Sequence, residues 1–280
     1  MLIAQITDIH LGFEPGNPAE FNRRRLDRAI EALLSMAPSP DALIVSGDLA
    51  DRGEAESYRR LREALGACPF PVLPCVGNHD LRATFRQAFP RTPTVDGFVQ
   101  YVVEDWPLRV VVIDTLQEGR HGGAFCERRA KWLDDRLAEA PGRPTLLALH
   151  HPPVPTGIDW MTVGAKAPWA ARLAAVVSRH PQVVAAVAGH LHRPMVAPWA
   201  GATLIVCPPV APWVALDLTA MGEPDGRPLI VDEPPGFALH LWTGEGLVTH
   251  FGTAQPVEVL ARYDAAMQPL IRGFAAEREG

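Results

Sequence analysis

Thiol chemistry is what this sequence most plainly withholds. Its four cysteines, Cys68, Cys75, Cys126 and Cys207, form no CxxC pair and no zinc-ribbon spacing. A disulfide framework and a thiolate metal site are therefore not expected; free thiols in a reducing cytoplasm are. No apolar run approaches the roughly 20 residues that cross a bilayer. The N-terminal MLIAQITDIH lacks a basic leader and meets a charge by Asp8, which argues against a signal peptide. Positive charge is not in excess either. There are 26 Lys and Arg against 32 Asp and Glu, a formal net charge of -6. A nucleic-acid polymer would meet an unfavourable average field, although a local cationic site could still attract a small phosphate ester. No internal repeat or low-complexity linker interrupts the 280 residues. The reading is a cytoplasmic globular chain with no membrane partner.

What is present is alternation. Short apolar runs at Leu2–Ile6, Ala42–Val45, Pro71–Val76, Val110–Ile113, Thr145–Leu149 and Val183–Ala188 read as strands. The prolines of the third suit an edge or irregular position. Helical patterns over Phe21–Met36, Glu54–Leu65, Glu127–Ala140 and Pro168–Arg179 lie among them. Such alternation predicts an α/β fold with parallel strands. After about Pro194 the pattern turns to β-like runs rich in proline. Residues 1–200 are taken as the core. Residues 201–280 are taken as a β-rich extension that completes a second sheet and supplies a substrate-side or subunit-contact element. The segment from Trp199 onward is a candidate element for a homo-oligomer, dimer or higher.

The chemistry-bearing residues fall just after the strands: Asp8 and His10 in TDIH, Asp48 in SGDLADRG, Asn78, His79 and Asp80 in GNHD, His150 and His151 in LHHPP, and His190 and His192 in GHLH. Ligands of open α/β sheets bind at the carboxyl ends of strands, and five separate clusters fall on that one edge. Imidazole and carboxylate without thiolate suit Zn, Mn, Fe or Co. Asp-x-His and His-x-His are expected on extended backbone, where side chains two apart share a face. Asp48 can bridge two ions, and the Asn78 amide oxygen is a neutral ligand. Two ions roughly 3.5–4 Å apart neutralise phosphate oxygens and acidify a bound water. His79, beside Asn78, is the candidate to assist the leaving oxygen, with Asp80 expected to fix its tautomer.

Taken together, TDIH, GDLADRG, GNHD, HH and GHLH resemble the calcineurin-like metallophosphoesterase family, over Met1 to about Pro194. Within it the chain is most similar to the bacterial class III cyclic-nucleotide and glycerophosphodiester phosphodiesterases. The resemblance implies a four-layer αββα sandwich and two divalent or mixed-valent metal ions (Fe, Mn, Zn or Co). It places Asp8, His10, Asp48 and His192 on one ion, and Asp48, Asn78, His150 and His190 on the other. It also implies His79 near the phosphoryl group and hydrolysis of small phosphodiesters. The alternatives are a phosphomonoesterase or nucleotidase on the same scaffold, or a metal-stabilised binding protein without catalysis.

For other residues the ordinary reading competes. His121, His180, His240 and His250 are read first as core or surface residues, with His121, in a Gly-rich loop, also a candidate for substrate contact. His151 should face away from its neighbouring ligand, and either holds the loop or touches substrate. Trp160, close to HHPP, is a candidate pocket wall. The Arg23–Arg25 run is read as a solvated helix face, and Asp51 as a residue that shapes its turn.

Overall fold

A strand buried on both faces must alternate its side chains between two cores, and Val110–Ile113 shows the rule. Val110 and Val112 pack into one hydrophobic cluster, Val111 and Ile113 into another. In the computed structural model, which describes residues 1–161, 167–220 and 222–277, this splits the molecule into layers. The first half runs β1 (Leu2–Ile6), α1 (Phe21–Leu34), β2 (Ala42–Ser46), α2 (Ala55–Leu65), β3 (Val72–Cys75) and α3 (Arg82–Ala88). Next come β4 (Tyr101–Val103), β5 (Arg109–Val112), α4 (Glu127–Ala138), β6 (Thr145–Ala148), α5 (Pro168–Val177) and β7 (Val183–Ala188). The remainder is β8 (Met195–Trp199), β9 (Ala202–Val206), β10 (Trp213–Val214), β11 (Ile230–Val231), β12 (Gly236–Trp242), β13 (Leu247–Thr253) and α6 (Gln268–Ala276).

The strands form two principal sheets. One has the order β13-β12-β1-β2-β3, the other β4-β5-β6-β7-β9-β8, and β10 pairs with β11 alone. β1, β2 and β3 are mutually parallel, as are β5, β6, β7 and β9. Helices α1 and α2 carry Leu26, Ile30, Leu33, Tyr58 and Leu61 into the first cluster, which also fills the space between the sheets. Leu133 and Leu137 of α4 and Leu173 and Val177 of α5 close the other face of the second sheet. The result is the αββα sandwich. Pro74 sits in β3, at the edge of its sheet, where a missing N–H costs no ladder bond. The chain beyond residue 201 divides between the sheets. β9 joins the second, whereas β12 pairs antiparallel with β1 and extends the first.

This stacking fixes the site. The parallel strands β1, β2 and β3 of one sheet and β6 and β7 of the other release their loops along a common edge.

Candidate metal centre

Each sequence cluster emerges within four residues of a strand end: Asp8 and His10 after β1, Asp48 after β2, Asn78 after β3, His150 after β6, and His190 and His192 after β7. The backbone there is not extended, contrary to expectation. Asp8, His10, Asp48, His190 and His192 have positive φ of 51°, 51°, 49°, 72° and 52°. Asp-x-His and His-x-His converge because the chain turns left-handed at both ligand positions, not by strand alternation. Cross-loop bonds hold the turns. Ile9 and His10 N–H donate to Asp48 O at 2.9 and 3.0 Å, Asp8 N–H donates to Gly47 O, and His190 N–H donates to the Asp8 carboxylate.

The side chains gather in two groups that share Asp48. In the first, His10 Nε2 and His192 Nε2 lie 3.2 Å apart, His10 Nε2 is 3.6 Å from Asp48 Oδ2, and His192 Nε2 is 3.6 Å from Asp8 Oδ1. In the second, His150 Nε2 is 3.3 Å from Asp48 Oδ2 and 3.2 Å from Asn78 Oδ1, and Asn78 Oδ1 is 2.9 Å from His190 Nδ1. Asp8, Asp48, His150 and His190 are buried.

Tautomers show what this arrangement fits. His192 Nδ1 donates to Pro212 O at 2.7 Å, and His10 Nδ1 faces Asp51 Oδ1 at 3.4 Å. With Nδ1 carrying the ring hydrogen, each ring presents its Nε2 lone pair to the space between them. Two lone pairs and two carboxylates thus converge with no donor between them, an arrangement that a cation relieves. His150 likewise bonds Ser46 O through Nδ1 at 2.9 Å and turns Nε2 to Asp48 and Asn78, but in the metal-free protein that nitrogen carries a proton, which a cation would displace. The cradle is also tight. A Cβ on Gly77 would lie 2.3 Å from Asp48 Oδ1, and one on Gly189 would lie 2.9 Å from Asp8 Oδ2. The residues present fit divalent cations, and Asp8, Asp48, His10, His150 and their neighbours form groups able to hold them.

Without a cation, protons and burial set the charges. Burial raises the Asp8 pKa to about 6 and lowers that of His192 to about 4. Burial also opposes charge on Asp48, but the attraction of His150, its hydrogen bond and the nearby His10 and His79 outweigh it, so its carboxyl lies well below the ordinary range. For His150 burial opposes the proton, and Asp48 overcomes this, raising the pKa to about 9.

His79 lies at the mouth, its side chain 38% exposed and its ring 4.5 Å from that of His10. Its N–H donates to Asp48 Oδ1 at 2.9 Å, and its Nδ1 donates to the carbonyl of Asp51 at 2.7 Å. The expected pairing with Asp80 is corrected. Asp80 is 1% exposed and its carboxylate accepts from Gly77, Leu49 and Ala50 N–H and from the Tyr58 hydroxyl. It braces the two ligand loops and stands apart from His79 because those donors surround it. Sequence reading missed the part of Asp51, which holds His79 through its carbonyl and faces His10 with its carboxylate. The signal was the second Asp of GDLAD.

His151 is also corrected as a substrate contact. It is fully buried beneath His150 and His190, and its Nδ1 bonds Thr115 Oγ1 at 2.9 Å. His121 does reach the site, its ring 4.6 Å from that of His190. His121 and Trp160 line a cavity of about 290 Å³ that opens over His10, Asp48, Asn78, His79, His190 and His192. Phe13, Phe21, Met161, Val214 and Ile230 give it apolar walls, and no Lys or Arg is among its described lining residues.

Comparison with known proteins gives the family and the fold. The calcineurin-like phosphoesterase family matches residues 1–194. A probable glycerophosphodiester phosphodiesterase, GpdQ, of Arcobacter nitrofigilis is 30% identical over 89% of this chain and 92% of its own length. A probable cyclic nucleotide phosphodiesterase of Rhodopseudomonas palustris is 36% identical over 84% of each. Among solved structures, a dimetal phosphatase from Danio rerio superposes with a TM-score of 0.63 at 16% identity, covering 91% of this chain and 99% of its own, a likeness of fold.

Proposed function

The chain belongs to the calcineurin-like phosphoesterase family, and from that premise we propose that it hydrolyses small phosphodiesters, 3′,5′-cyclic nucleotides or glycerophosphodiesters, at a pair of divalent cations. Asp8, His10, Asp48 and His192 would hold one cation, and Asp48, Asn78, His150 and His190 the other. Imidazole, carboxylate and amide oxygen suit Fe, Mn, Zn or Co in either position. When bound, such ions neutralise the phosphate oxygens and acidify water. The observation that carries the reading is the pair of donor groups sharing Asp48 beneath the apolar-walled cavity.

The remaining work falls to the chain's own side chains. His79 lines the cavity, and the Asp51 carbonyl occupies its Nδ1. Proton exchange at this ring is therefore confined to Nε2, which when protonated donates to the leaving oxygen. Phe13, Trp160, Met161 and Ile230 accept the organic groups of the ester and exclude water, and His121 borders the same space. A diester carries one negative charge and a monoester two near neutrality. The absence of Lys and Arg from the described lining residues supports the diester reading over a monoesterase.

The four cysteines are free and, among the described residues, no helix is long and apolar enough to cross a membrane. Both accord with the cytoplasmic location proposed here. A homo-oligomer is proposed through the segment beyond residue 201, where Val257, Leu260 and Tyr263 are exposed.

The test is kcat/KM for bis(p-nitrophenyl) phosphate against p-nitrophenyl phosphate with added Mn or Co. The diester is expected to be the better substrate. Full activity in Asp48→Ala or Asn78→Ala would show that the assigned site is wrong.

A further inference from the structure

The Arg23–Arg25 run does not behave as one solvated face. Arg24 is exposed and Arg23 pairs with Asp27 along the helix surface, but Arg25 is 4% exposed. Its guanidinium makes four bonds. Nε donates to Val210 O at 2.6 Å, Nη2 to Ala211 O at 3.1 Å and Glu233 O at 2.6 Å, and Nη1 to Asp232 Oδ1 at 2.7 Å. Three of the four acceptors are backbone carbonyls, so the residue is built to hold chain segments rather than to balance a charge.

The segment it holds is the one behind one half of the metal centre. Val210 N–H donates to Thr7 O and Ala211 N–H donates to Asp8 O, both at 2.9 Å. The next carbonyl, Pro212 O, accepts His192 Nδ1–H at 2.7 Å and so fixes the tautomer and aim of that ring. Asn22, on the same buried face of α1, donates to His10 O at 2.9 Å. The supports of the other half run elsewhere, from Ser46 O to His150 and from Asp80 to Gly77.

We infer that Arg25 is a positioning residue for the cation position formed by Asp8, His10 and His192, pressing the Val210–Pro212 segment against those ligands. The inference rests on the two-cation reading above and adds an asymmetry to it: losing Arg25 weakens one position and spares the other. A guanidinium is suited to the task because its planar fork serves several carbonyls at once, which an ammonium on a flexible stem cannot do in the same geometry. Outer partners of metal-bound imidazole set affinity by roughly 10–100-fold.

The experiment titrates Mn²⁺ into metal-stripped wild type, Arg25→Met and Arg25→Lys, by calorimetry and by electron paramagnetic resonance, with a thermal melt of each apoprotein. Wild type is expected to take up two ions and give a spin-coupled signal. Arg25→Met is expected to keep one binding step at wild-type affinity and to weaken the other by roughly 10–100-fold, leaving an isolated six-line signal at one equivalent. Arg25→Lys, which keeps the charge and part of the bonding, is expected to fall between them, and it carries the test alone if Arg25→Met does not fold. Asp232→Asn removes only the exposed partner and is expected to keep both steps. Two wild-type steps in the folded Arg25 variants, or two steps weakened by the same factor, would overturn the inference. Fewer than two ions in wild type would instead overturn the two-cation reading itself.

Discussion

Replacing Gly77 by alanine adds one methyl group at the point where the two ligand groups meet. An ideal Cβ there would stand 2.3 Å from Asp48 Oδ1, 2.5 Å from Asp48 N and 2.7 Å from His150 Nε2. Real Cβ atoms essentially never come within 3.0 Å of such neighbours. The carboxylate must therefore retreat by at least about 0.7 Å, and the backbone nitrogen cannot swing aside as a side chain would. Overpacking of this kind costs roughly 1–3 kcal/mol, which lowers the melting temperature by a few degrees. The larger effect falls on chemistry, because Asp48 is the residue both groups share, and misplacement on the order of 1 Å can cost about 10²-fold. We expect Gly77→Ala to lose about 10²-fold in kcat/KM for bis(p-nitrophenyl) phosphate and to bind less than the wild-type complement of Mn²⁺. Gly142→Ala, whose Cβ would meet nothing within 4 Å, is the control and should leave both unchanged. A folded Gly77→Ala enzyme with wild-type turnover and full metal would refute the reasoning.

His79→Ala should lower kcat by roughly 10²–10⁴-fold with metal content unchanged, and the loss should grow as the leaving alcohol becomes less acidic; an equal loss for nitrophenyl and alkyl leaving groups would contradict a role at the leaving oxygen. At pH 7.5 the metal-free protein holds a proton on His150, whose pKa is about 9, whereas His192, at about 4, is already neutral. Saturation with Mn²⁺ should release about one proton per chain, measured calorimetrically in two buffers of different ionisation enthalpy, and no release would show that His150 does not hold that proton. His240 is buried between Gln5 and Thr249, and burial lowers its pKa to about 3. Its folded value lies below the unfolded value of about 6.5. Its contribution is thus fully present above pH 6.5 and is lost as pH falls toward 3, by roughly 2 kcal/mol at pH 5. The pH dependence of unfolding free energy between pH 7 and 5 should be shallower in His240→Asn than in wild type, and equal slopes would refute the assignment.

The residues that the structure gathers at this edge were legible because their signal is local. An apolar strand ends, and the next few residues are polar, small and chemically matched to one another. Which strands lie side by side was not, since β12 reaches β1 across more than two hundred residues, and nothing in FALHLW names its partner. The roles of Asp51 and Asp80 were exchanged for a related reason. Asp51 supports His79 through its main-chain carbonyl, and a carbonyl is the same at every position. Arg25 was more nearly within reach. The buried face of α1 is Asn22, Arg25, Leu26, Ala29, Ile30 and Leu33, a helical stripe that continues backward from Leu26. Extending the apolar period into the polar residues before it separates Arg25 from its two neighbours.

The left-handed backbone at Asp8, His10, Asp48, His190 and His192 bears on why these residues occur where they do. A non-glycine residue in that region costs free energy, least for Asp, Asn and His, whose short polar side chains bond locally. The residue types suited to holding a cation are therefore also among those that best tolerate the turn that brings them together. The cost that remains is met by bonds between loops rather than within them: Asp48 O takes two N–H groups from the TDIH turn, and the Asp8 carboxylate takes that of His190. Each turn is thereby held by another ligand's residue, so a loop cannot relax without disturbing a donor in a different cluster. A cation bound at this edge would therefore draw on an arrangement the fold has already assembled, and its loss should loosen the five loops together rather than one at a time.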